Sequence, residues 1–371
     1  MGNDLKSKKM YDVEFLRFIF AVIIVYYHIF HANINGLEAL TPFIPKLTES
    51  CAYGSAVVEC FFIISGYFLC RSVEKSSQLS VFEFTYNKFS RLWPVLAVHL
   101  IIGLKFFYYN PYDCLFASFF VQAVGLTPSV SGTLWYVSSL FYGLIFIFVL
   151  RKCIKNSQKF NLILAVITYF SYAIVIANNA VVFGRGNYYF FSIALLRAVG
   201  GIGLGYLICV FLKQFKNLKF VSGFKPNKFE KILVFISVSA VQIVCFYLLL
   251  RHFIDSQNSY KQQFYVVILF SVFFIMLLSR KGIFTLLFNN KFFGFLGKYS
   301  YSIYVMQQIS FYILQKTLWK NSAYVSNHFL RLLALSLLFA VAFGIVTYYV
   351  IEKPGKFVFD KLGDKLFSRN N

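Results

Sequence analysis

Acidic residues are scarce in this chain. Fourteen Asp and Glu stand against 36 Lys and Arg in 371 residues, and both signs together make up only 13% of the composition. A soluble globular domain carries roughly a quarter charged residues, so the shortage excludes one. Seven cysteines form no CxxC pair and show no metal-ligand spacing, which excludes a zinc ribbon and a disulfide scaffold. They read as buried thiols behaving as small hydrophobes. Five histidines share no spacing that would hold a metal ion, and no metal is expected. The leading "MGNDLKSKKM" has no signal-peptide cleavage site, and it lacks the Ser or Thr that myristoylation wants at position six. No repeat period and no low-complexity linker interrupt the chain.

What fills the space is apolar: 59% of the residues are hydrophobic and 21% aromatic. About ten stretches of spanning length begin near residues 11, 53, 89, 133, 160, 190, 230, 262, 297 and 329. The expected fold is an all-α polytopic membrane protein of about ten transmembrane helices, a single integral-membrane domain over 1–371. Residues 1–10 and a short tail at 353–371 are expected in the cytoplasm. A weaker segment, 113–125, is too short to span and is expected to be re-entrant or interfacial.

The formal net charge of +22 does not point to nucleic acid. With the N-terminus inside, the inward connections hold 26 Lys and Arg and the outward ones six. That asymmetry is the positive-inside rule, with attraction to anionic lipid of the bilayer as a secondary effect.

Against this background the first span is anomalous. "FLRFIFAVIIVYYHIFH" places Arg17 and His28 inside hydrocarbon, where an Arg costs about 2.5–3.5 kcal/mol on insertion scales and marks a functional site by default. Eleven residues apart, the two share one helix face and lie roughly 16 Å apart along it. Topology puts Arg17 toward the cytoplasm and His28 toward the outer side. Glu59, about six residues below the outer end of the second span, comes out level with His28. A carboxylate there would orient the imidazole of a general base, so the two side chains are expected within hydrogen-bonding reach, directly or through one water. Lys88 and Arg91 open the third span at the depth of Arg17, and a guanidinium there suits a phosphate or carboxylate entering from the cytoplasm. A basic inner mouth joined to an outer His/carboxylate pair fits a long donor with phosphates at one end and a thioester at the other, as in acyl-CoA. Tyr53, Trp135, Tyr136 and Tyr142 are candidates to stack on a sugar or to anchor at the interface. His31 is a candidate helper at the outer site. Ser65, Ser138 and Ser139 are candidate nucleophiles, although serines in spans commonly bond their own backbone. Gly201 and Gly205 in "GGIGLGY" read as a close helix-packing motif rather than a nucleotide loop.

Six phrases in order resemble the acyltransferase 3 family of integral-membrane acyltransferases. They are the Arg17/His28 pair, "ECFFIISGY" (59–67), "KFSRLWP" (88–94), "TLWYVSSLFYG" (133–143), "LGKYSYSIYVMQQ" (296–308) and "YYVIEKPG" (348–355). Lys88 stands where the family usually has Arg, Val57 where Gly is common, and Gln307 where many members have His, so no catalytic role is assigned to Gln307. The resemblance implies the stand-alone form without a fused esterase-like domain. It implies a multi-pass protein of the inner (plasma) membrane that O-acylates a cell-surface polysaccharide or its lipid-linked precursor. Acetyl-CoA is the implied donor and His28 the implied base. The implied sites are His28 and Glu59 for catalysis, Arg17, Lys88 and Arg91 for the donor, and Ser65, Trp135, Tyr136 and Tyr142 for substrate. An O-succinyltransferase of the same family, or a transporter or flippase of a glycan precursor, is the alternative. A lipid-phosphate-sugar glycosyltransferase would want clustered acids in the early outer loop, which offers only the separated Glu38 and Glu49.

Overall fold

The computed structural model describes residues 9–31, 54–75, 78–122, 124, 130–178, 187–188, 191–217, 226–254, 264–317, 319 and 328–367. The side chain of His31, and Glu38, Glu49 and Tyr53, lie outside the described residues.

Ten helices coincide with the ten apolar stretches. They are α1 (Tyr11–His31), α2 (Val57–Lys75), α3 (Val81–Phe106), α5 (Trp135–Cys153), α6 (Ser157–Ala177), α7 (Ile193–Asn217), α8 (Lys228–Ile254), α9 (Phe264–Leu278), α12 (Ser300–Lys316) and α13 (Phe329–Thr347). Short helices α4 (Pro111–Ser118), α10 (Ile283–Phe288) and α11 (Lys291–Leu296) connect them, and α14 (Lys353–Leu366) closes the described chain. Seven helical segments are long and apolar enough to cross a membrane, so the fold is an all-α polytopic membrane bundle. The only strands among the described residues, β1 (Asn187–Tyr188) and β2 (Phe191–Ser192), form a two-residue hairpin ladder.

Helix α3 starts well before the expected residue 89. Ser80 caps it, its hydroxyl accepting the Glu83 amide at 3.1 Å, so the polar turn before the apolar run is already helical. The weak segment at 113–125 yields only the eight-residue α4, with Tyr112, Leu115 and Phe116 exposed. That is too short to span.

Helices α2 and α7 form the buried centre of the bundle, while α8 turns most of its apolar surface outward. A membrane removes the usual penalty for such exposure, since lipid is as apolar as the side chains. The centre depends on small residues. A methyl group on Gly66 would overlap the Ile202 carbonyl, and one on Gly205 would overlap the Ile63 carbonyl. Gly201 faces Phe62 in the same way, so the expected packing motif is present. Gly205→Ala should force the two backbones apart and lower stability by about 1–3 kcal/mol. Thermal unfolding of the detergent-solubilised protein tests this, and an unchanged midpoint would remove the close-packing argument.

The start of α1 is held by a buried carboxylate. Asp12 accepts from Arg280 Nη1 at 2.6 Å on both oxygens and from Thr285 Oγ1 at 3.0 Å. The far end of the sequence is tied in as well. A π-helical turn, Tyr348–Glu352, carries Glu352 inward to accept the Ser302 hydroxyl at 2.5 Å. Helix α14 is fastened to α3 through the Tyr86 hydroxyl, which donates to the Phe359 carbonyl at 2.7 Å.

Candidate active site

Five of the expected site residues share one cavity. Arg17 from α1, Ser65 from α2, Lys88 and Arg91 from α3, and Tyr136 from α5 line a hollow of about 320 Å³, with Tyr301 of α12 closing a wall. Arg17 is anchored by its neighbour one turn back, Nη1 donating to Glu14 Oε2 at 3.2 Å. Among the described residues neither Lys88 nor Arg91 is in a close ion pair; Arg91 feels the charges of Glu352 and Glu14 at longer range, and Lys88 rests its ammonium 5.0 Å over the Phe84 ring. Three cations thus line the cavity with the carboxylate of Glu14, and Glu352 behind the wall adds a second negative charge that acts on Arg91 and Arg17. Helix positions make the cluster possible, because Lys88 and Arg91 are one turn apart on α3 and present the same face. The opposite wall is fixed by tyrosines. Tyr301 donates to the Leu92 carbonyl at 2.5 Å, and Tyr304 donates to the Thr133 carbonyl at 2.9 Å.

Further along α1, His28 Nδ1 lies 3.1 Å from Gln307 Oε1 on α12. The amide is oriented from its other end, where Gln307 Nε2 donates to the Tyr304 carbonyl at 2.8 Å. An amide oxygen only accepts, so where this contact is a hydrogen bond Nδ1 is the donor, and in the neutral imidazole Nε2 is then the basic nitrogen.

The expected pairing of Glu59 with His28 is not what the structure contains. Glu59 accepts from Arg197 Nε at 2.7 Å and from the Tyr172 hydroxyl at 3.3 Å, and no direct hydrogen bond joins it to His28. Both members of the Glu59–Arg197 ion pair are buried. Chain direction gives a depth for each residue, but depth says nothing of which way a side chain faces. Glu59 lies on the α2 face that meets α7, where a buried guanidinium needs a counter-charge.

Trp135 belongs to that second cluster rather than to the cavity: the Arg197 guanidinium lies 4.7 Å over its ring. Tyr142 is elsewhere again, its hydroxyl donating to the Phe119 carbonyl at 3.2 Å. Of the three aromatics proposed for substrate, only Tyr136 lines the cavity. Ser139 donates to its own helix at the Trp135 carbonyl, 2.9 Å away, as serines in spans commonly do. Ser65 alone of the three candidate serines faces the cavity.

Two residues escaped the sequence reading. Arg197 carries the same signal as Arg17, a lone guanidinium inside an apolar run ("IALLRAVGG"), and was legible on that ground. Gln307 was noticed only as a departure, and its partner was not inferable from chain position.

No curated protein and no solved structure matches the chain. A family model does: the acyltransferase domain of the acyltransferase 3 family covers residues 10–351, from the residue before α1 to the inward turn that carries Glu352. Every helix that builds the cavity and the His28–Gln307 contact falls within those limits, and the chain belongs to the acyltransferase 3 family as a multi-pass membrane acyltransferase.

Proposed function

We propose that this acyltransferase moves an acetyl group from cytoplasmic acetyl-CoA to a hydroxyl of a cell-surface glycan or its lipid-linked precursor, across the plasma membrane. One observation carries the reading. An anion-attracting cavity and an oriented imidazole stand on the same uninterrupted helix, roughly 16 Å apart. In this reading Arg17, Lys88 and Arg91 hold an anionic part of the donor, and the thioester reaches toward His28. His28 Nε2 takes the proton of the acceptor hydroxyl. The oxygen attacks the thioester carbonyl, the carbon–sulfur bond breaks, and the proton passes to the leaving sulfur. A positioned base of this kind contributes about 10²–10⁴-fold. Gln307 acts through His28, by holding its tautomer. Glu59 has no catalytic step here.

The donor end is testable with acetyl-CoA hydrolysis or transfer by purified protein. A charge-assisted hydrogen bond contributes about 1.5–3 kcal/mol, so Arg91→Ala should raise the KM for acetyl-CoA about tenfold or more. Arg17→Lys keeps the charge but loses the planar fork and should also weaken donor binding. Unchanged donor affinity in both variants would remove the cavity from the reaction, and a protein that moves a glycan without consuming acetyl-CoA would be a transporter.

A further inference from the structure

A second basic hollow, larger than the first, opens between α2, α5, α6 and α7. Its volume is about 620 Å³. Arg151 and Lys152 from the end of α5, Lys155 from the short link to α6, and Lys213 from the end of α7 line it, with Glu74 the single acid. The two hollows are neighbours: the first ends on Ser72 and Leu144, the second begins on Val73 and Phe148, the next positions or next turn of the same helices.

The shape of this place is built. Arg151 Nη1 donates to the Ile154 and Lys155 carbonyls at 2.8 and 3.3 Å, and Nη2 donates to the Ser157 hydroxyl at 3.1 Å. The guanidinium thereby folds the α5–α6 link into a fixed turn. Lys213 is held in an ion pair with Glu74. The start of α6 lies in the same wall through Ser157 and Asn161; Asn156 caps it by accepting the Lys159 amide, and the helix start is a positive dipole end. A topological signal requires only that basic residues lie near one membrane surface. It does not require cations from two separate helix ends to face one hollow.

We infer that this hollow is a binding site for a phosphate group, separate from the Arg17 cavity. Four cations against one carboxylate, beside the start of α6, match the charge of a phosphate monoester or diester, and the hollow leaves room for the molecule that carries it. Two sources carry that chemistry: the 3′-phosphate and diphosphate of the donor's nucleotide end, or the headgroup of an anionic lipid. The first source rests on the proposed acetyl-CoA reading; the second does not.

The test is equilibrium binding to full-length protein in neutral detergent, measured with adenosine 3′,5′-bisphosphate in one arm and phosphatidylglycerol in the other. Lys152→Gln/Lys155→Gln removes two cations without touching the Arg151 turn. Ser157→Glu adds a negative charge where the helix dipole favours it and replaces the hydroxyl that accepts from Arg151 with a carboxylate able to accept in its place, and its folding is checked by thermal unfolding. Tenfold or greater weakening of the nucleotide in both variants, with lipid binding unchanged, assigns the site to the donor. The same loss confined to phosphatidylglycerol assigns it to lipid, and it does so even if acetyl-CoA is not the donor. Folded variants that bind both probes like the parent overturn the site.

Discussion

His28→Ala abolishes acyl transfer while leaving an inserted, folded protein: that is the largest effect expected of any single substitution here. The side chain is held at one nitrogen by Gln307, and on the proposed mechanism the other nitrogen receives the acceptor's proton. Removing it should cost the roughly 10²–10⁴-fold that a positioned base supplies. Alanine keeps α1 helical, since it is the best helix former. His31→Ala, three residues on and about 60° off that face, should do much less. Gln307→Leu should lie between them. It keeps the imidazole but frees its orientation, so kcat should fall while the KM for acetyl-CoA stays near the parent value. Acylated surface glycan measured at equal membrane levels separates the three. Near-normal acylation by His28→Ala would show that the reaction runs elsewhere in the bundle.

The second large effect is on stability. Glu59→Gln or Arg197→Gln leaves an uncompensated charge at the α2–α7 contact, and breaking such a buried pair costs about 3–5 kcal/mol. Both side chains are fully enclosed, Arg197 against the Trp135 ring and Glu59 accepting from Tyr172. The expected result is therefore loss of folded protein rather than a folded enzyme with slow turnover. Because the two groups interact directly, the doubly neutral Glu59→Gln/Arg197→Met should lose less than the sum of the single changes. Thermal midpoints in detergent for the three variants decide it. Single variants as stable as the parent, with turnover lost, would return Glu59 to the chemistry.

The contrast between these two carboxylate readings shows where sequence reasoning reached its limit. The positions of the long helices were legible because apolar runs of near-spanning length read as helices, although only seven described segments are long and apolar enough to cross a membrane. Arg17, Lys88 and Arg91 line one cavity, as expected of cations set in or at the edge of apolar runs, which are rare enough to mark their own site. The partner of His28 was not legible. Glu59 and Gln307 both lie in phrases that resemble the family, and choosing between them required knowing which way α2 turns. That rotation is set by glycine contacts between α2 and α7 and by the demand of Arg197, two long-range facts. Trp135 failed for the same reason: its neighbour Tyr136 faces the cavity, and one residue of rotation sends the indole under a guanidinium instead.

The continuity of α1 has a further consequence. Between Arg17 and His28 the helix contains neither glycine nor proline, and its backbone is unbroken from Tyr11 to His31. The two ends of the proposed donor path are therefore fixed to one gauge block whose length thermal motion barely changes. Within α1 there is no hinge for domain closure, a usual means by which enzymes adapt to cofactors of different reach, to act on. For the donor proposed above, the pantetheine arm is measured against the helix. A truncated analogue can engage the cations or meet the imidazole, and it cannot do both.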